Sequence, residues 1–297
     1  MLMVLSLAML AMPVGMWGVF TASAQGAAFK CPALAAPAAS PGVASPAAAT
    51  AVAEVAFPAG GGDLTVFAAA SLTDAFEEMK IDLEWVHPGL VITYNFAGSQ
   101  ALVTQLDEGA EADIFASANN AQMEAATENG SLASEPATFA HNRLAIVTPA
   151  DNPAEIDSPG DLGEAGLRLV LAQAEAPVGR YARESVCTMG QDTTAFGADF
   201  VGQVAANVVS EEEDVRDVLA KVQLGEADAG IVYVSDAASA GDDVTLIDIP
   251  AAFNVIAAYP IAAVTGGDEA LADAFIAYVL SDEGQATLVE YGFTPVN

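Results

Sequence analysis

The chain has 297 residues, 53% of them hydrophobic, and carries 40 acidic against 8 basic residues for a net charge of -32. That apolar content excludes a wholly disordered chain, and the charge excludes nucleic acid and anionic membrane surfaces as partners, because both require basic patches. The length is roughly twice a typical domain of about 150 residues, which leaves room for two lobes.

Met1 to Phe20 is nearly all apolar and uncharged, and Ala22-Ser23-Ala24 follows as a small-x-small cleavage pattern. Residues 1–24 therefore read as an export signal. Cleavage is the preferred reading; a run of ~20 apolar residues also suffices to span a bilayer as an uncleaved anchor. Residues 25–62 are rich in Ala, Pro, Ser and Gly, with Pro37, Pro41 and Pro46 breaking any periodicity, and read as a flexible tether. The two cysteines, Cys31 and Cys187, leave three outcomes open: a disulfide, a lipid on Cys31, or two free thiols. Phe29 and Lys30 are poorly suited to a lipidation site, which favours small residues there.

The folded part begins near Asp63. Leu64–Ala68 is a short apolar strand, and Leu72–Lys80 a helix with Leu72, Ala75, Phe76 and Met79 on one face. Val91–Phe96 is a strand, and Ala101–Leu106 a helix that Gly109 ends. Ala112–Ala116 and Ala121–Glu128 are the next strand and helix. The strand Leu144–Thr148 precedes a loop rich in Asp, Pro and Gly. Arg168–Ala172 is a strand, followed by a Pro177-Val178-Gly179 turn and a helix from about Tyr181. Asp214–Gln223 is a helix, Gly230–Val234 a strand and Tyr259–Val264 a late strand. Glu269–Leu280 and Asp282–Tyr291 are the closing helices. Strands alternating with helices predict an α/β fold with parallel pairing.

The chemistry concentrates at strand–helix junctions, where open α/β sheets hold their ligands. Ser71 and Ser99 each stand where a strand gives way to a helix. There free N–H groups and the positive end of the helix dipole attract anions. Each serine is equally suited to be an ordinary helix cap. In the second half, the N–H of Val178 or Gly179 faces out of a strand–helix turn. Asp214 is placed to cap a helix and leave the Val215 N–H free. Tyr233 ends an apolar strand, where a phenol needs a hydrogen-bond partner; a core tyrosine bonded to backbone is the alternative.

Six blocks carry a resemblance to a known family: Val66–Thr73 (VFAAASLT), Phe96–Gln100 (FAGSQ), Gly109–Ala118 (GAEADIFASA), Pro177–Ala182 (PVGRYA), Glu213–Arg216 (EDVR) and Gly230–Ala237 (GIVYVSDA). In these, and in their order, the sequence resembles the molybdate-binding proteins of ABC uptake systems, within the type II periplasmic binding proteins. The resemblance implies two lobes, each a mostly parallel sheet flanked by helices, joined by a two-segment hinge. By its boundaries residues 63–142 with 258–297 form one lobe and 143–257 the other.

It further implies an oxyanion, molybdate or tungstate, held by the hydroxyls and N–H groups of Ser71 and Ser99, the N–H groups of Val178 and Val215, and the hydroxyl of Tyr233. The expected partner is an ABC permease, the expected state a monomer, and no cofactor or cationic metal is called for. The tether, unlike compact relatives, suggests attachment to the cell surface. Arg180, where relatives carry an apolar residue, either points to solvent or lends charge to the site. Since carboxylates would repel a dianion, the acidic residues are expected to lie mostly outside the cleft.

Other classes fit less well. Ser71 with His141 and an aspartate would make a triad only without the Gly-x-Ser-x-Gly elbow, and the remaining histidine, His87, sits in a loop before Pro88. No His/Cys cluster suggests a transition metal. Sulfate or phosphate is the closest alternative ligand. Ferric iron is disfavoured by the lack of adjacent tyrosines, and a sensor ectodomain is a further alternative.

Overall fold

The computed structural model describes residues 29, 31 and 56–296. The export segment 1–24 and most of the tether fall outside the described residues. The first strands, β1 (Gly62–Ala69), β2 (Leu90–Ala97) and β3 (Ile114–Ala116), alternate with α1 (Thr73–Val86), α2 (Ser99–Asp107) and α3 (Asn120–Glu128). A long strand, β4 (Ala137–Pro149), leads to β5 (Leu169–Ala172), α4 (Pro177–Met189), α5 (Phe200–Asn207) and β6 (Val208–Glu212). Then come α6 (Val215–Gln223), β7 (Ala229–Tyr233), α7 (Val234–Ala240) and β8 (Val244–Asp248). The strand β9 (Ile256–Ala263), helices α8 (Glu269–Leu280) and α9 (Asp282–Glu290), and β10 (Thr294–Pro295) follow.

The strand order is β2-β1-β3-β9-β4-β7-β5-β6, with β8 and β10 also paired to β4. Each end of this sheet is parallel: β1 pairs with β2 and β3, and β5 with β6 and β7. The antiparallel strands β9 and β4 lie between them. β4 changes partners midway: Ala137–Arg143 face β9, while from Leu144 onward it faces β7 and then β8. It thus passes from a first half of the sheet (β2, β1, β3, β9) to a second (β7, β5, β6, β8).

The parallel strands are buried on both faces, as helix-covered strands must be; Ile114–Ala116 and Leu169–Ala172 are buried at every position. Around Phe76 the rings of Tyr94, Phe139 and Phe275 pack at centroid distances of 5.6–6.0 Å, fastening α1 to the first half. On the second half, α6 buries Val215, Val218, Leu219 and Val222, a spacing that places one apolar stripe against the sheet.

Several elements differ from the sequence expectation. β4 runs seven residues upstream of the expected start at Leu144, because Ala137–Arg143 gains a second antiparallel partner in β9. Pro177-Val178-Gly179 is not a turn before a helix but the first turn of α4 itself, with proline at a position where its missing N–H costs nothing. Phe29 and Cys31, inside the stretch read as a flexible tether, are held against α4. Cys31 forms a disulfide with Cys187, with Cα atoms 5.5 Å apart, and the Phe29 ring lies 5.4 Å from the Arg183 guanidinium. A sulfur in a disulfide has no thiol left for a lipid, so the lipid on Cys31 is incompatible with this pairing. Among the described residues no helix is long and apolar enough to cross a membrane.

Candidate binding site

Ser71, Ser99, Val178, Val215 and Tyr233 are each at most 4% exposed and all line one cavity. Ser71 and Ser99 come from the first half of the sheet, the other three from the second. The cavity is small, ≈ 20 Å³ being open to the centre of a water-sized sphere. Organic ligands fill pockets of about 300–1,000 Å³, far larger than this cavity.

Neither serine is a side-chain cap. Ser71 sits in a short 3-10 turn, Ala70–Leu72, between β1 and α1, and the residue preceding α1 is Leu72, whose side chain makes no capping bond. The Ser71 Oγ is 2.9 Å from the Tyr259 Oη, where either atom can donate. Ser99 is the first residue of α2, and its Oγ accepts the Ala118 N–H at 3.0 Å. Its own hydroxyl proton is therefore free to donate. When Tyr259 donates to Ser71, the same holds for Ser71. Each hydroxyl is thus oriented by a buried partner and keeps a proton for the cavity.

The second half supplies donors differently. Asp214 precedes α6, and its Oδ1 accepts the N–H groups of Arg216 and Asp217 at 2.8 and 3.2 Å. That leaves the Val215 N–H without an intrahelical or capping partner, as expected from the sequence. At α4 the first helical bond runs from Arg180 N–H to the Ala176 carbonyl, so the N–H groups of Val178 and Gly179 precede the ladder. Gly179 is required there: a Cβ would stand 1.9 Å from the Gln173 carbonyl oxygen and 2.4 Å from that of Ala172. The start of α4 is pressed onto the end of β5, which aims its N–H groups. Gly98 meets a similar limit, since its Cβ would lie 2.8 Å from the Glu213 carbonyl oxygen of the other half.

The Tyr233 hydroxyl is buried and has no hydrogen-bond partner. The neighbouring Tyr259 ring lies edge-on at 5.8 Å, and its hydroxyl acts on Tyr233 without meeting hydrogen-bond geometry. The alternative of a core tyrosine bonded to backbone is thus not what the structure shows. Burial, with smaller contributions from Tyr259, Tyr181 and Asp236, pushes the Tyr233 phenol well above its usual range. Burial pushes Tyr259 up as well. Both stay protonated and remain donors. An unsatisfied buried hydroxyl costs about 1–3 kcal/mol, and a solute that accepts its proton recovers that.

Among the described residues Asp214 is the only carboxylate on the cavity wall, and it is already engaged as a cap. This agrees with the expectation that the acidic residues avoid the cleft. Arg180 is exposed and points to solvent. The His87 ring packs tilted against Phe57 at 4.6 Å, and His141 lies within β4 opposite Ala258. Among the described residues no group of three or more His, Cys, Asp or Glu could hold a metal ion.

Tyr259 was not singled out from the sequence; it sits 188 residues from Ser71 and nothing local marks it as the partner of that hydroxyl. A set of charges behind the cavity was also unmarked. The Arg216 Nη2 is 2.5 Å from the Asp74 Oδ2, and its Nε is 3.0 Å from the Asp236 Oδ1. Burial raises the Asp236 carboxyl to about 6, against the opposing pull of Arg216. For Asp74, burial acts upward but is outweighed by the Ser239 hydroxyl and Arg216, and its carboxyl is held below the usual value.

Neutral donors from two sheet halves thus converge on one small cavity. The chain belongs to the bacterial extracellular solute-binding proteins, whose family model matches residues 64–294. It is 41% identical over 235 residues to the molybdate-binding protein ModA of Mycobacterium tuberculosis, covering 79% of this chain and 85% of that one. It is 32% identical over 243 residues to the ModA of Haemophilus influenzae, covering 80% of this chain and 91% of that one. The structure superimposes on the periplasmic molybdate-binding protein of Azotobacter vinelandii with a TM-score of 0.66 at 18% identity, covering 79% of this chain and 100% of that one. The fold is the type II periplasmic-binding-protein fold, and these relatives are named as solute- or molybdate-binding proteins.

Proposed function

We propose that this protein captures molybdate, or tungstate, outside the cytoplasm and delivers it to an ABC permease in the membrane. The observation that carries the reading is the convergence of the Ser71, Ser99 and Tyr233 hydroxyls with the Val178 and Val215 N–H groups on one cavity. Its single wall carboxylate is already spent on a helix cap. Five to seven hydrogen bonds to a dianion, at about 1.5–3 kcal/mol each, give on the order of 10–20 kcal/mol gross. After desolvation and lobe closure, a net of about 8–12 kcal/mol corresponds to micromolar to nanomolar binding.

Residues 63–142 with 258–297 act as one lobe and 143–257 as the other, and the chain works as a monomer that closes about β4 and β9. Export through residues 1–24 and a tether that keeps the domain near the cell surface complete the reading. Calorimetry of the protein with molybdate, tungstate, sulfate and phosphate tests it. Micromolar or tighter binding of the first two, and none of the others, is expected. Absence of heat with all four ions would refute it.

A further inference from the structure

The proposed ligand donors and the charge cluster behind them are interleaved along the chain. Asp74 comes three residues after Ser71, Arg216 directly follows Val215, and Asp236 comes three residues after Tyr233. Arg216 bridges the two carboxylates, with Nη2 on Asp74 at 2.5 Å and Nε by Asp236 at 3.0 Å. The two sides of this bridge belong to different halves of the sheet. Asp74 lies in the first turn of α1, which packs on β2, whereas Arg216 and Asp236 lie on α6 and α7, which pack on β4 and β7. The ion pair therefore crosses the cleft at the cavity's edge.

Burial divides the labour between the two carboxylates. The Asp236 side chain is 0% exposed, so it holds Arg216 permanently to the second half. Asp74 is 37% exposed and Arg216 25%, so this contact can separate and rehydrate when the halves part. Arg216 donates a hydrogen bond from Nη2 to Asp74, while its Nε faces Asp236 as a charge contact without hydrogen-bond geometry. Other contacts cross the cleft, Gln100 Nε2 to the Glu213 carbonyl at 2.8 Å and Gln122 Nε2 to the Glu175 carbonyl at 3.2 Å, but both are neutral and exposed. Among the described ion pairs, Arg216–Asp74 is the one that joins α1 to the second half.

We propose that Asp74 and Arg216 form a charged clasp that keeps the two halves shut over the bound ion and sets how long it stays. This is a positioning role and it rests on the molybdate reading: neither side chain touches the ligand. Closing the cleft forms the clasp, so its loss acts on release rather than on capture. The clasp is also the part of the closure that salt can weaken, because it alone is ionic and partly exposed.

Stopped-flow kinetics with molybdate on the full chain tests this, comparing the wild type with Asp74→Asn and Asp74→Glu. Asp74 is the residue to change because Arg216 keeps Asp236 as a partner, whereas removing Arg216 strands a buried carboxylate. Asp74→Asn is expected to speed release about two- to fivefold, the size of a partly exposed ion pair, with association changed by less than about twofold. Asp74→Glu should recover most of the slow release. Raising the ionic strength should speed release from the wild type and leave Asp74→Asn nearly unchanged. Wild-type binding with the same release rate and salt dependence in Asp74→Asn would overturn the clasp alone. A wild type that binds no molybdate would overturn the functional reading and the clasp with it.

Discussion

The two halves of the cavity present hydrogen-bond donors by different means. On the first half the donors are side-chain hydroxyls, Ser71 and Ser99, each oriented by a distant partner, Tyr259 or the Ala118 N–H. On the second half two of the three are backbone N–H groups, exposed because Val178 and Val215 stand in first helical turns. A hydroxyl donor is lost with its side chain. A backbone donor survives any substitution that preserves the helix start, and depends on the residues that fix that start. Ser71 and Ser99 are therefore irreplaceable in kind, whereas Val178 and Val215 depend on Gly179 and Asp214.

The largest expected effect breaks the first half. Ser71→Ala with Ser99→Ala removes two charge-assisted hydrogen bonds and should weaken molybdate binding by about 3–6 kcal/mol, read by calorimetry. The protein should stay folded, with a moderate drop in melting temperature because the Ala118 N–H and the Tyr259 hydroxyl each lose a buried partner. Unchanged affinity would remove these serines from the site. Next comes Gly179→Ala. Its methyl group would meet two carbonyl oxygens at 1.9 and 2.4 Å, so the start of α4 must shift. A stability loss of about 1–3 kcal/mol is expected, together with weaker binding, although no ligand-facing side chain has changed. Thermal denaturation with and without molybdate reads both.

A third prediction concerns pH and the second half alone. The Asp236 carboxyl is raised to about 6 in the fold against an ordinary value near 3.8. The folded protein therefore holds a proton there that the unfolded chain has released. This contribution to stability is full below the unfolded value and is lost as pH rises through the folded one. Asp236→Asn removes the titration, so the stability of the variant relative to wild type should rise between pH 4 and pH 7. A pH-independent difference in melting temperature would show that Asp236 titrates normally. The smallest effect is expected from Val215→Ala. The N–H stays in place and Asp214 still caps α6, so affinity should change by less than about 0.5 kcal/mol. A large loss of affinity there would mean that the second half does not bind through its backbone.

Much of this contrast was legible in the sequence, because the second-half donors are local features. Asp214 ahead of an apolar stripe identifies both the cap and the free N–H without knowledge of the fold. The two serines could be located at helix starts but not told apart from caps. What orients their hydroxyls is Tyr259, 188 residues from Ser71, and Ala118, 19 residues from Ser99. The strands β6 and β8 escaped notice for a related reason. Val208–Glu212 and Val244–Asp248 mix acidic and apolar residues, and become strands through their partners β5 and β4. The extra length of β4 likewise comes from β9, more than a hundred residues later. The Cys31–Cys187 disulfide was one of three open outcomes because its ends lie 156 residues apart. Local periodicity and capping could thus be read directly, whereas every feature that needed two distant segments could not.

The central claim is that both halves grip one ion in one place. Crystals of the protein grown with molybdate, measured at the molybdenum absorption edge, test it most directly. The account predicts a single strong anomalous peak inside the cavity, within hydrogen-bonding reach, through its oxygens, of Ser71, Ser99, Val178, Val215 and Tyr233. A peak elsewhere on the protein, or a cavity that stays without one at saturating molybdate, would contradict it.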